Sequence, residues 1–291
     1  MNRRMFVASI VTAAAQAQDS VLGGPVLGYT LDAEGRVRPL LGPAGSAYLA
    51  QAMVGSSGLR TWAGSYGLDA EGFVHYGVGA QELRRLADAG GGWQNLVSSA
   101  KPEVALVQNG SRVARLRGGA ADDAVELAFS AARLALGGDG ERIVAADGDH
   151  CAGWSVDGRQ LFQYPIADVR ALLVLPGNAG FCGLADTLFR VDDTGRREDY
   201  GPVAGTAMVS TADGAIAVIL DTDGMAVRTL SFATRTWQTW ELPLVARQLL
   251  PLRDGRTFVV FGDVDEPIWT LALQGAEARW AQVPMAMGGR K

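Results

Sequence analysis

The sequence predicts an all-β chain built from repeated four-stranded antiparallel units, and three observations carry that expectation. Glycine is abundant, with 38 in 291 residues alongside 11 prolines, so the chain must turn often. Short apolar runs such as Thr257 to Phe261 and Ala215 to Leu220 are rich in β-branched residues and bounded by Asp-Gly, a pattern that marks strands. A turn leading into such a run recurs at near-constant spacing. Its centres are Gly64, Pro102, Gly140, Asn178, Gly214 and Gly255, which lie 38, 38, 38, 36 and 41 residues apart.

Each centre is preceded by one apolar strand and followed by two more with a polar turn between them, as in the run from Ala152 to Pro165. Four strands in a repeat of this length form the blade of a β-propeller, whose radial packing leaves only short, protected sheet edges. The segment from Ala80 to Gly90 reads equally as a short helix or as a fourth strand with its loop. Upstream, Val26 to Gly42 reads as a strand, an Asp-Ala-Glu-Gly turn and a second strand, matching the outer pair of a blade without an inner pair. Its Leu31-Asp32-Ala33-Glu34-Gly35 recurs at Leu68, where it follows a different strand, so the two copies are read as non-equivalent. Counted as a sector, this hairpin gives seven blades, the favoured reading; counted as a cap on another blade, it leaves six.

Residues 1–17 read as a signal peptide. Arg3 and Arg4 precede an apolar run from Met5 to Ala15, and Ala15-Gln16-Ala17 is a small-x-small cleavage site. The Arg3-Arg4-Met5-Phe6-Val7 run fits a twin-arginine motif and a general secretion signal equally. The expected layout is a signal peptide over 1–17, one propeller over 18–285 and a tail over 286–291, in a periplasmic or extracellular protein. The formal charge of −5 becomes −7 without residues 1–17, which hold two arginines and no acid. Basic residues are scattered, so nucleic acid is not an expected partner. Beyond the N-terminus no apolar stretch reaches the roughly 18 residues a membrane span requires.

The opening Gly24-Pro25-Val26-Leu27-Gly28-Tyr29, with Arg38-Pro39-Leu40-Leu41-Gly42 and the repeat itself, resembles the YVTN-type and WD40-like β-propellers, especially uncharacterised exported bacterial ones. The resemblance covers nearly the whole chain after residue 17. Its motifs are turn glycines and alternating apolar residues, so it implies a fold and not an activity. No Trp-Asp pair closes any repeat, a departure from the WD40 pattern.

Chemistry-bearing residues are few. His75 alternates with Phe73 and Gly77 on one sheet face and reads as a hydrogen-bonded core or interface residue. His150 stands in Asp147-Gly148-Asp149-His150-Cys151, which holds the ingredients of a thiolate nucleophile or a metal site. Adjacent side chains in a hairpin diverge, so an ordinary turn is the expectation there. Cys151 and Cys182, the only cysteines, fall in different blades and are expected as two separate thiols, with Cys182 the deeper. Val144, Val218 and Val259 are expected to be buried behind the turns at Gly140, Gly214 and Gly255. Metalloprotease, phosphate-loop, nucleophile-elbow and EF-hand spacings do not occur.

One pattern rises above turn chemistry. The second-to-third-strand loops carry Asp69 and Glu71, then Asp147 and Asp149, Asp186, Asp221 and Asp223, and finally Asp263, Asp265 and Glu266, with Gln108-Asn109-Gly110-Ser111 interrupting the series. A propeller gathers equivalent loops at one end. Asp147, Asp149, Asp221, Asp223, Asp263 and Asp265 are therefore the candidate metal-ligating set, and calcium is the cation that oxygen ligands would take. Solvated turn acids account for the same residues, and no other cofactor is expected. The function suggested is exported, non-catalytic binding or scaffolding, with a protein or small ligand met by one loop face. The alternative is a lactonase-like hydrolase that holds a divalent cation with acidic loops.

Overall fold

Antiparallel hairpins succeed one another from Val26 to Val283 in the computed structural model, which describes residues 26–283 apart from 33, 43–46, 79–81, 100, 102, 177–179, 253, 263–266 and 275–276. The signal peptide, the tail, the turn centres Pro102 and Asn178, and the loop acids Asp263 and Asp265 lie outside the described residues.

The first sheet holds β1 (Val26–Leu31), β2 (Val37–Leu41) and β3 (Tyr48–Leu49). The second holds β4 (Leu59–Ala63), β5 (Tyr66–Asp69), β6 (Val74–Val78) and β7 (Glu82–Arg85). In the third, β8 (Asn95–Ser98), β9 (Val104–Asn109) and β10 (Arg112–Arg117) are followed by two short pieces, β11 (Ala120–Ala121) and β12 (Val125–Glu126), which both pair with β10. The fourth comprises β13 (Arg133–Leu136), β14 (Arg142–Ala146), β15 (His150–Ser155) and β16 (Gln160–Pro165). The fifth comprises β17 (Ala171–Val174), β18 (Phe181–Leu184), β19 (Thr187–Val191) and β20 (Arg197–Pro202). The sixth runs through β21 (Ala207–Ser210), β22 (Ile216–Leu220), β23 (Ala226–Ser231) and β24 (Thr236–Glu241). The seventh runs through β25 (Gln248–Pro251), β26 (Thr257–Phe261), β27 (Ile268–Gln274) and β28 (Glu277–Val283).

Burial explains why the second strand of each repeat is the apolar run most legible in sequence. β9, β14, β18, β22 and β26 are buried at all but one residue or throughout, because both of their faces pack against neighbouring sheets. The outermost strands β16, β20 and β24 alternate exposed and half-buried residues instead. Seven apolar clusters fill the joints between sheets, one for each neighbouring pair. The joint that closes the ring brings Leu27 and Leu40 of the first sheet against Leu252, Val259 and Val283 of the last. Seven sheets and seven joints make a seven-bladed β-propeller, as the favoured count expects.

The turns at Gly64, Gly140, Gly214 and Gly255 each lie between the first and second strands of a blade, as predicted. Val144, Val218 and Val259 are 0%, 0% and 3% exposed. The ambiguous segment after Ala80 is strand β7 followed by a turn. No helix among the described residues is long and apolar enough to cross a membrane.

Two expectations about the first hairpin are corrected. Its turn is equivalent to the one at Leu68. Asp32 N–H bonds to Arg36 O at 3.0 Å as Asp69 N–H bonds to Phe73 O at 3.2 Å, and the Gly35 carbonyl receives Leu59 N–H as the Gly72 carbonyl receives Trp93 N–H, both at 3.1 Å. Equivalence is set downstream of the motif, where the inner strand of the next sheet docks onto the glycine carbonyl. The hairpin therefore supplies the second and third strands of its blade, with β3 as a short fourth, and is not an outer pair.

Candidate functional site

Second-to-third-strand turns are gathered at one end of the ring, where the six that are described in full or in part, from the first blade to the sixth, touch the lead-in to the next blade. Gly72 and Gly224 show why glycine stands at that point. Both have positive φ, and a Cβ on either would lie within 2.6 Å of backbone atoms of Trp93 or, at Gly224, 2.3 Å from Ala246 O, far inside contact distance.

The predicted acids divide into two roles at this end. Asp69 Oδ1 accepts the N–H groups of Glu71 and Phe73 at 3.0 and 2.9 Å, and Asp147 Oδ1 accepts those of Asp149 and His150 at 2.7 and 2.6 Å. Asp32, which lies outside the predicted series, does the same with Glu34 and Arg36. Partial burial pushes these three carboxyls up, but the hydrogen bonds outweigh it and hold them below the usual range. Asp221 is buried and held by Arg228 at 2.9 Å, while Asp223 accepts Met225 N–H at 2.9 Å. The second acid of each turn, Glu71, Asp149 or Asp223, is exposed, as is Asp186. The turn that interrupts the series is knitted by an amide. Gln108, 2% exposed, donates to Gly110 O and Ala131 O at 2.8 and 2.7 Å.

His75 Nε2 lies 2.9 Å from Asp69 Oδ2, so its partner belongs to its own hairpin. The His150 ring is partly exposed, with Nδ1 3.6 Å from Asp147 Oδ1. Cys151 and Cys182 are both free and fully buried, and burial pushes each thiol up to about 12. Neither cysteine has the depressed pKa of a reactive thiolate. Among the described residues, no three His, Cys, Asp or Glu side chains converge on one point.

The inner strands β4, β8, β13, β17, β21 and β25 surround a central cavity of about 460 Å³, a volume typical of small-ligand sites. Its wall is aliphatic through Leu96, Leu134, Leu172, Met208 and Leu250 and becomes hydroxyl-bearing at Ser98 and Thr211. Among the described residues lining it there is no carboxylate, imidazole, thiol, lysine or arginine. Residue pattern alone did not reveal this cavity, since channel-facing and joint-facing residues of the inner strands are equally apolar.

No protein-family model matches the chain, and a search of curated proteins finds no match. Solved structures do resemble it. The β-propeller domain of Cps50 (Swd1) from Myceliophteria thermophila matches at TM-score 0.53 and 18% identity, over 63% of this chain and 66% of that one. A functionally unknown protein from Desulfotomaculum acetoxidans matches at 0.53 and 12%, over 89% and 79%. The WD40 repeats of RRP9 match at 0.50 and 11%, over 64% and 62%. This chain spans just under two thirds of the first of these structures and of the third. At such identities the likeness speaks for architecture alone. The chain is a seven-bladed β-propeller.

Proposed function

We propose that the chain is an exported, non-catalytic binding or scaffold propeller that meets its partner with the end carrying the second-to-third-strand turns. The observation behind this reading is the division of labour among the turn acids. The first acid of each turn is tied down, Asp69 and Asp147 by backbone N–H groups of their own loops and Asp221 by Arg228, while the next acid, Glu71, Asp149 or Asp223, has an exposed side chain. A stiff acidic rim favours a basic protein surface, with calcium as the cation it would hold. The lactonase-like alternative requires carboxylates converging near the axis, and the described residues lining the central cavity carry none.

Polylysine, labelled and titrated at low salt, is the probe that tests the rim. Combining Glu71→Gln, Asp149→Asn and Asp223→Asn should weaken binding at least about tenfold with an unchanged melting temperature. The same number of neutralisations at the opposite end, Glu103→Gln, Asp193→Asn and Glu277→Gln, should change it little; equal losses from both sets would overturn the reading. Metal analysis and melting scans with and without calcium address the hydrolase alternative. Export is tested by intact mass, with a chain starting near Gln18 expected in the envelope fraction and a full-length cytosolic chain contradicting it.

A further inference from the structure

The turn that interrupts the acidic series holds the only Asn-Gly pair in the chain, Asn109-Gly110. Asn109 ends β9, pairs with Arg112 of β10 and is exposed. Its Nδ2 donates to Gly92 O at 2.9 Å, which ties the turn to the lead-in of β8. Gly110 follows with φ +63°, and the atom nearest to a Cβ built there is Ser130 Oγ at 3.9 Å. The Gly110 carbonyl accepts Gln108 Nε2 at 2.8 Å, but no hydrogen bond among the described residues takes up the Gly110 N–H. The charges beside the turn are one of each sign. The Arg112 guanidinium lies 4.9 Å from the centre of the Trp93 ring, and Glu126 accepts the Ser111 hydroxyl at 2.8 Å.

We propose that Asn109 is a self-modification site, where the side-chain amide is exchanged for a carboxylate through a ring closed by Gly110. Once the Gly110 N–H gives its proton to hydroxide, the nitrogen attacks Asn109 Cγ. The N–Cγ bond forms, the Cγ–Nδ2 bond breaks, and the leaving nitrogen takes a proton from water to depart as ammonia, which regenerates the hydroxide. Water then opens the cyclic imide. Addition at Cγ restores the peptide with aspartate, and addition at the main-chain carbonyl of residue 109 leaves the chain routed through Cβ as isoaspartate. In sum the amide and one water give a carboxylate and ammonium, with nothing oxidised or reduced. Glycine makes the step accessible, since it has no Cβ to shield the nitrogen and adopts either sign of φ. Asn95 is the contrast within the same blade. It is exposed too, but it lies in β8, its Nδ2 bonds to Gln108 Oε1 at 3.0 Å, and Leu96 follows it. The new carboxylate stands on the one second-to-third-strand turn, among those described, that carries no acid. It replaces the donor to Gly92 O by a group that can only accept. The rim thus gains charge in one direction only, as the molecule ages.

Peptide mapping of the purified chain, held folded at mildly alkaline pH, tests the conversion. The peptide holding Asn109 should gain the mass that separates a carboxyl from an amide and split into aspartate and isoaspartate forms. It should do so at least about tenfold faster than the peptide holding Asn95. Gly110→Ala has room for its Cβ and should slow the gain at least about tenfold, while Asn109→Gln, whose ring would need one more atom, should abolish it. The rate in the parent should rise with pH, because the attacking nitrogen must first lose its proton; this measurement stands even if the alanine variant does not fold. Conversion only in denaturant, equal rates at Asn109 and Asn95, a rate indifferent to pH, or an unchanged rate in folded Gly110→Ala would each overturn the proposal.

Discussion

The Tyr66 hydroxyl, on the second strand of the second blade, donates a 2.9 Å hydrogen bond to the Glu103 carbonyl of the third blade and accepts the Gly119 N–H at 3.3 Å. One fully buried side chain thus satisfies two backbone groups of a neighbouring sheet. The joint between these blades is held by a directed contact as well as by apolar area.

Tyr66→Phe keeps the ring and removes both bonds. Leaving the Glu103 carbonyl and Gly119 N–H without this partner should cost about 1–3 kcal/mol, read as a lower denaturant midpoint with an unchanged slope. A variant as stable as the parent would show that water replaces the hydroxyl at no cost.

Aspartate placed at Val144, Val218 or Val259 puts an unpaired charge between two sheets. Each substitution should destabilise by more than about 3 kcal/mol, and equilibrium unfolding of the three variants checks it. Tolerance at all three would contradict the packing of the second strands.

Alkaline pH should unfold the protein in a defined window. Burial pushes the Cys151 and Cys182 thiols to about 12 from 9.0, and the Tyr66 phenol to about 12 from 10.0. The folded state thus keeps protons that the unfolded state releases, so the stability these groups contribute is complete below about pH 9 and declines as pH rises toward 12. Melting temperatures from pH 7 to 11 should be flat and then fall, and Cys151→Ala with Cys182→Ala should soften the fall. Alkylation without reductant should find two thiols in the denatured chain and almost none in the native one at pH 8.

Gly72→Ala and Gly90→Ala separate strain from collision. Both glycines have positive φ, but a Cβ at Gly90 meets nothing within 4 Å, whereas one at Gly72 lies 2.5 Å from Trp93 O. Gly90→Ala should cost about 1 kcal/mol and Gly72→Ala at least about 2 kcal/mol more, as thermal or chemical denaturation would record.

The repeat was legible because second strands such as β14 and β22 are covered on both faces and become unbroken apolar runs between Gly turns. Blade number hinged on Val26 to Gly42, where the strand before the motif was a misleading guide. Hydrogen bonds to Leu59 and Trp93, residues far along the chain, are what make the two motifs alike. Asp69, Glu71, Asp147, Asp149, Asp186, Asp221 and Asp223 stand at second-to-third-strand turns, where the sequence puts them, and Asp263 and Asp265 lie outside the described residues. That Asp69 and Asp147 are occupied by backbone N–H groups while Glu71 and Asp149 face solvent depends on loop geometry, to which residue type is blind. The central cavity was invisible for a similar reason, since Leu134 and Leu136 both line it and both pack in the joint between the third and fourth sheets, and an apolar residue type marks neither role.

Because each sheet is formed by strands close together in sequence, a blade can assemble as soon as its own stretch of chain is free. Six of the seven joints then form between consecutive blades, in the order in which the chain emerges. The seventh must wait, since it unites Leu27 with Leu252 and Val259 from opposite ends of the described chain. Loop-closure entropy grows only logarithmically, by about 0.6 kcal/mol for each doubling of length, so the delay lies in timing more than in free energy. The ring therefore has a seam. It is the one joint whose two sides come from the first and last described strands of the chain.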